Sequence, residues 1–362
     1  MRTCTRCIMN DSADPTITFD ENGYCNYCTD ALAKINTTAY FPNEEGEKRL
    51  HALLEQVKKS GEGKPYDCIM GISGGLDSAY LAYLGCTWGL RILAVHVDDG
   101  YDTDVSKENV RKLVEKAGIK MITVTPDAEQ YNALLLAYMR AGVPNLAVPQ
   151  DNILLKCLFD AVKEYKIPYF LSGDNFALEC VLQRGNTYQS MDVVNIRDIH
   201  KRFGTQPINK LKLISAYEKY YSTRVAGMHL EKPLNYIDYN RERAFRELKE
   251  FCGFEYYGRK HLENKFTAFL QLRWLPEKFG VDKRLSHLSS MIVSGQMTRE
   301  EALAEAARPI CEGVPMDEYV AEIKANMHLS DAEFEEIMRA PTHQHTEYKT
   351  DRLDAALRSV LH

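Results

Sequence analysis

The decapeptide Gly71-Ile-Ser-Gly-Gly-Leu-Asp-Ser-Ala-Tyr80 sets adjacent glycines and two serines between the apolar run CIM and the helical pattern YLAYL. A strand that ends this way and passes into a helix is suited to hold a phosphate. Glycine lets the backbone come close because no Cβ intervenes. The free N–H groups of the helix N-terminus face the anion, and serine hydroxyls add donors. The cradle is read as Gly71, Ser73, Gly74, Gly75, Leu76, Asp77 and Ser78, with Asp77 either capping the helix or helping to hold a magnesium ion. The bland alternative is a tight strand-to-helix turn. The loop is neither GxxxxGK[ST], which needs a lysine, nor GxGxxG.

A second constellation is Cys4-Thr-Arg-Cys7 with Cys25-Asn-Tyr-Cys28, two C-x2-C knuckles separated by 17 residues. Such spacing lets each pair bite one ion while the intervening loop closes a tetrahedron. A site of four thiolates has no open position, so its expected role is structural zinc; an iron–sulfur cluster or a redox pair are the alternatives. The remaining six of the ten cysteines are scattered. Cys68 and Cys86 read as core. Cys157 and Cys180 are expected to flank the nucleotide cleft, either as helix packing or as sulfur-transfer thiols.

These groups need a scaffold. The 362 residues suffice for two domains, and the net charge of −6 argues against a dominant nucleic-acid footprint. MRTCTRCIMN lacks the apolar core of a signal peptide. No apolar run approaches the ~20 residues that span a bilayer. A cytoplasmic protein without membrane insertion is expected. Residues 1–40 form the zinc head and 41–63 a connector helix. Residues 64–230 alternate candidate strands (66–72, 91–97, 120–125 and 168–173) with helical patterns. That alternation implies an α/β class, a Rossmann-like doubly wound parallel sheet. Gly118 is expected to close the helix that carries Val110, Leu113 and Val114. Residues 231–362 read as a helical substrate or partner region, with capping-box pairs at Thr298/Glu301 and Ser330/Glu333 and a loosely packed end from Thr342.

SGGLDS, Ser73 to Ser78, resembles the PP-loop SGGxDS of the ATP pyrophosphatases at every fixed position. The resemblance implies that ATP is cut between its α- and β-phosphates, with pyrophosphate in Ser73–Ser78 and AMP placed on a substrate oxygen. Asp77 and Ser73 take catalytic roles in it. It sets adenine against His96, Val97 and Asp98 at the end of the second strand. Ser172-Gly-Asp-Asn175 becomes the second phosphate-side turn, where Gly173 approaches the nucleotide and Asp174 or Glu179 holds magnesium. The bland readings are a packed histidine for His96 and turn chemistry for Asp98 and Asp99.

The cysteine head and the block GFEYYGRKHLENKFTAFLQLRW, continuing to Leu303, are similar to the N-acetyl sugar amidotransferases of the WbpG and PseA type. With the PP-loop between them, the likeness runs from residue 4 to about 305. It implies conversion of an acetamido group to an acetamidino group on a UDP- or CMP-linked bacterial surface sugar. ATP, Mg2+ and Zn2+ are the implied cofactors. No glutaminase signature stands out here. Ammonia is therefore expected from a partner glutaminase with a cyclase-like subunit, resembling HisH and HisF. His261 is a candidate for proton handling, and Arg184, Asn186, Asp192, Arg259 and Lys260 for substrate contacts. A solvated charged helix start is the bland reading of residues 259–261. Phe266, Phe269 and Trp274 read as core. The rival functions are a tRNA sulfurtransferase using Cys157 and Cys180, and a zinc module that senses ATP without chemistry.

Overall fold

The computed structural model describes residues 1–12 and 14–351. Five strands form one parallel sheet, β1 (Cys68–Gly71), β2 (Ile92–Val97), β3 (Lys120–Val124), β4 (Tyr169–Leu171) and β5 (His229–Glu231), in the order β3-β2-β1-β4-β5. This is the α/β doubly wound class. Four of the strands fall inside the segments read from sequence. The fifth, His-Leu-Glu, is too short to leave an apolar pattern.

Both faces of the sheet are covered, and the period of two along each strand decides which side chain goes where. Cys68, Met70, Ile92, Ala94, Tyr169 and Leu171 point into one cluster with the helix Leu76–Thr87 and with Val110 and Leu113. Ile69, Leu93, Val95 and Phe170 point the other way, onto Leu158, Phe159 and Val162 of the helix Val148–Tyr165. The helix Asp104–Ala117 ends at Gly118 with φ 62°, the left-handed closure its sequence implies. Strand order reverses at β1, between β2 and β4. Loops leaving the carboxyl ends of β1 and β4 therefore diverge and open a crevice at this switch point.

The chain's ends close over this layer. The helix Glu44–Ser60 puts Leu53 and Val57 into the same cluster as Met70. The largest cluster joins the helix Ala128–Ala141 to residues 262–348, with Phe266, Phe269 and Trp274 fully buried in it. The Trp274 indole N–H donates to the Val143 carbonyl at 3.0 Å. Both capping boxes form, at Thr298 with Glu301 and at Ser330 with Glu333. The expected loose end needs correcting over its described part. His345 and Tyr348 are buried, and Tyr348 Oη donates to the Ala141 carbonyl at 2.7 Å. The rest of that stretch, 352–362, lies outside the described residues.

The long connection from β4 to β5 is pinned by one side chain. Fully buried Asn152 donates to the carbonyls of Ser190 (2.7 Å) and Ile214 (2.8 Å) and accepts from the Ile214 N–H (3.0 Å). Replacing it by alanine strands the carbonyl of half-buried Ser190 and both backbone groups of buried Ile214, the buried ones costing on the order of 1–3 kcal/mol each. Asn152→Ala is expected to lower the unfolding free energy by about 3 kcal/mol or more, read as a lower urea midpoint at unchanged m-value.

Candidate active site

The loop from β1 into the helix Leu76–Thr87 can be built only by glycine where it bends. Gly74 has φ 79°, and a Cβ there would lie 2.7 Å from the Ser106 Cβ. Across the crevice, a Cβ on Gly173 would lie 2.9 Å from the Ser78 backbone nitrogen. The two loops thus meet backbone to backbone. Inside the first loop the Ser73 N–H donates to Ser78 Oγ (3.3 Å), and the Ser73 and Ser78 hydroxyls lie 3.2 Å apart.

Asp77 sits in the first turn of the helix, where a negative charge is favoured. Burial works against its ionisation. The Lys260 ammonium and the Tyr239 hydroxyl, both bonded to its carboxylate, outweigh burial and hold it below the usual carboxylate range. Lys260 also reaches Glu179 Oε1 at 3.1 Å. Burial raises Glu179 above its ordinary value, with Lys260 opposing. His261, at φ 64°, follows Lys260; burial and that ammonium push its imidazole down to about 3, so it is neutral near pH 7.

A cavity of about 440 Å3 opens here. It brings together Gly71, Ser73, Gly75, Leu76, Asp77, Ser78, Val97, Gly173, Asp174, Glu179, Asn186, Lys260 and His261 from the sequence reading. Seven carboxyl groups line it, those of Asp77, Asp99, Asp102, Asp151, Asp174, Glu179 and Glu263, against the two lysines Lys260 and Lys283. A polyphosphate entering such a wall needs a cation with it. One cation, the Lys260 ammonium, already fits between Asp77 and Glu179. The donor set therefore suits Mg2+, a hard ion held by carboxylate oxygens.

Other expected contacts fall elsewhere. Gly74 supports the loop from behind. His96 is buried beneath it, Nδ1 2.8 Å from the Ile72 carbonyl oxygen and Nε2 3.1 Å from Asp102, so it braces the cradle instead of facing the cleft. Asp98 accepts the Gly100 N–H (3.1 Å) in a turn, and its neighbour Asp99 is the one that lines the cleft. Asp192 is 1% exposed and caps the helix Val193–Phe203 through the Asn195 N–H. Arg184 pairs with Asp30 of the head at 2.8 Å. Arg259 spends its guanidinium on the Ile310 carbonyl (2.6 Å) and Glu305 (3.4 Å), in a neighbouring cavity. Neither Cys157 nor Cys180 lines the cleft. Burial pushes their thiols up to about 11 and about 12, which leaves little thiolate at neutral pH.

Sequence reading does not single out Glu263 or Lys283 as site residues, and it weighs Asp99 only together with Asp98 at the end of the second strand. The Glu263 backbone carbonyl is fixed by the Thr103 N–H (3.0 Å) and Ser106 Oγ (2.9 Å), which sets its side chain against Gly75. Its Oε2 is buried without a partner, and burial pushes the carboxyl up to about 7. Lys283 faces the cleft with no ion pair among the described residues, and burial pulls its amine down.

In the head, the sulfurs of Cys4, Cys7, Cys25 and Cys28 lie within 4.8 Å of one another, with close pairs at 3.8, 3.5 and 3.6 Å. A zinc ion with Zn–S bonds of about 2.3 Å sets the sulfurs of a tetrahedron about 3.8 Å apart. The cluster is compatible with one such ion. Around it pack Met9, Ile17, Tyr27, Val181 and Val293.

Two measurements follow. Glu263 costs stability as pH rises from its unfolded value of about 4.5 through about 7, because only the folded state resists ionisation. Glu263→Gln is therefore expected to be more stable than the wild type at pH 8, by at most about 3 kcal/mol. The advantage should vanish below pH 5 in paired urea melts. Removing the head metal with a chelator should lower the melting temperature, with about one equivalent of zinc released per chain by elemental analysis.

Residues 263–360 match the family model described as LPS biosynthesis protein WbpG-like, C-terminal domain. No curated protein matches the chain. Among solved structures the chain is similar to NMN synthetase from Francisella tularensis, at 13% identity and TM-score 0.37 over 79% of this chain and 97% of that one. It is similar to the U34-tRNA thiolase NcsA from Methanococcus maripaludis, at 16% identity and TM-score 0.35 over 87% and 92%. It is also similar to the NH3-dependent NAD synthetase from Campylobacter jejuni, at 15% identity and TM-score 0.31 over 82% and 98%. Among the described residues no helix is long and apolar enough to cross a membrane. This chain joins an α/β domain carrying the SGGLDS loop to a C-terminal region, residues 263–360, that matches the WbpG-like model.

Proposed function

We propose that the protein is an ATP-dependent amidotransferase that turns an acetamido group of a nucleotide-linked bacterial surface sugar into an acetamidino group. The observation that carries this reading is the joining of an SGGLDS cradle at the sheet's switch point to a C-terminal region that matches the WbpG-like family. The cleft is walled by that same C-terminal region, through Glu263, Asn264, Thr267 and Lys283.

The amide oxygen attacks the α-phosphorus of ATP, and the bond from that phosphorus to the β-bridging oxygen breaks. Pyrophosphate leaves, and the amide carbon becomes electrophilic as an O-adenylyl imidate. Ammonia adds at that carbon, the C–O bond breaks, AMP departs with the former amide oxygen, and one proton is lost. Ser73, Ser78 and the loop's N–H groups offer donors to the departing pyrophosphate, and Lys283 offers a charge. Asp77 and Glu179 would hold Mg2+, which when bound neutralises charge on the leaving group. Glu263, titrating near neutrality, is better matched than His261 to take the proton that ammonia releases.

Ammonia is supplied in this reading by a separate glutaminase with a cyclase-like subunit. The head's thiolates hold zinc and serve structure. The sulfur-transfer reading loses support because Cys157 and Cys180 stand outside the cleft.

The test supplies ATP, ammonium and UDP- or CMP-linked diacetamido sugars. Expected are AMP and a sugar lighter by about one mass unit, as oxygen is replaced by NH. Asp77→Asn should lower AMP release by at least about a hundredfold in a protein with an unchanged circular dichroism spectrum, whereas Cys157→Ser should leave it unchanged. AMP formed only with tRNA and a sulfur donor would overturn the reading.

A further inference from the structure

Tyr257, Lys260, His261 and Glu263 reach the cradle from the C-terminal region and line its cavity. The Leu76 N–H, one of the helix N-terminal donors, gives its hydrogen bond to Tyr257 Oη at 2.8 Å. Three residues on, the Lys260 ammonium bridges the carboxylates of Asp77 and Glu179. An oxygen thus stands on a phosphate-binding amide, and a cation stands between two carboxylates. The side chains of Lys260, Asp77 and Glu179 are 14%, 17% and 25% exposed, so the pairing is largely shielded from water. Gly258 at φ 100° and His261 at φ 64° flank Lys260 in the left-handed region. A non-glycine residue is held at such an angle only when its surroundings enforce it.

We propose that Lys260 is the resident counter-ion of the nucleotide site: its ammonium fills the divalent-cation position between Asp77 and Glu179, and metal enters only as Lys260 leaves. The inference rests on the reading of these two carboxylates as the Mg2+ ligands, and it deepens it. Two cations cannot share one pair of oxygens at contact distance. With Lys260 in place, the free metal finds the oxygens between Asp77 and Glu179 taken. Triphosphate changes this balance, because its oxygens give both metal and ammonium new partners. Lys260 then moves from carboxylates to phosphate, carried by the residues that Gly258 and His261 bound. Metal and nucleotide therefore bind together, and each is weak alone.

The experiment is a Mn2+ titration followed by electron paramagnetic resonance, first without nucleotide. Wild type should bind Mn2+ weakly, and Lys260→Gln at least tenfold more tightly. Lys260→Arg, which keeps the charge, should show no gain, and Lys260→Gln with Asp77→Asn should lose the gain. A folded Lys260→Gln that binds Mn2+ no better than wild type would overturn the proposal. If Lys260→Gln shows no gain but Asp77→Asn still weakens Mn2+ binding in the presence of ATP, the carboxylates remain the metal ligands and only the role of Lys260 falls. Should Lys260→Gln not fold, wild-type protein carrying 15N at its lysine ammonium groups gives the answer. The shielded Lys260 resonance should move when Mg2+ and ATP are added together and stay put with Mg2+ alone. A resonance that never moves, or that moves with Mg2+ alone, sinks the idea.

Discussion

A carboxylate taken out of water must find a positive partner or give up its charge. Asp77 cannot give it up, because the helix N-terminus and Lys260 both hold it ionised. That requirement organises the molecule. Lys260 lies far along the chain, so the C-terminal region must fold back over the sheet to deliver it. The same return brings Tyr257 to the loop's amide, Glu263 against Gly75, and Lys283 to the cleft. The α/β layer supplies a crevice and a cradle. It also supplies six of the seven carboxyl groups that face the cleft, whereas the helical region supplies Glu263, His261 and both lysines.

This division explains what was legible in the sequence. Strands β1 to β4 are runs of apolar residues bounded by glycine and turn residues, so they declare themselves locally. So do SGGLDS, the paired cysteines and the two capping boxes, because each needs fixed residue types at fixed spacing. The side chains that matter in the cleft are different. Glu263 and Lys283 have ordinary neighbours and become special only by burial against a loop some two hundred residues earlier. Asp98 and Asp99 are adjacent, and a single peptide step decides which faces the cleft. Asp192 and His96 show the reverse error. Both are polar residues near the expected site, and both are spent on structure, one as a helix cap and one as a brace under Ile72.

The cleft's charge also limits what can enter. With carboxyl groups outnumbering lysines, an anionic ligand is repelled unless it brings its own cation. A neutral nucleophile such as ammonia meets no such barrier. Burial holds His261 uncharged and brings Glu263 near neutrality, so proton traffic in the site is set by exclusion of water more than by any one ion pair.

The cysteine head is not an appendage. Arg299 donates to the backbone carbonyls of Cys4 and Cys7, at 3.1 Å each, and the Ile8 N–H donates to Ser289 Oγ. The cysteine knuckles are thus completed by residues almost three hundred positions further along the chain. The knuckles can gather an ion by themselves, but their seat is finished only once Ser289 and Arg299 are made. Contacts of such long sequence separation are slow to close. The head's seat and the wall of the cleft therefore both wait on the same returning C-terminal region.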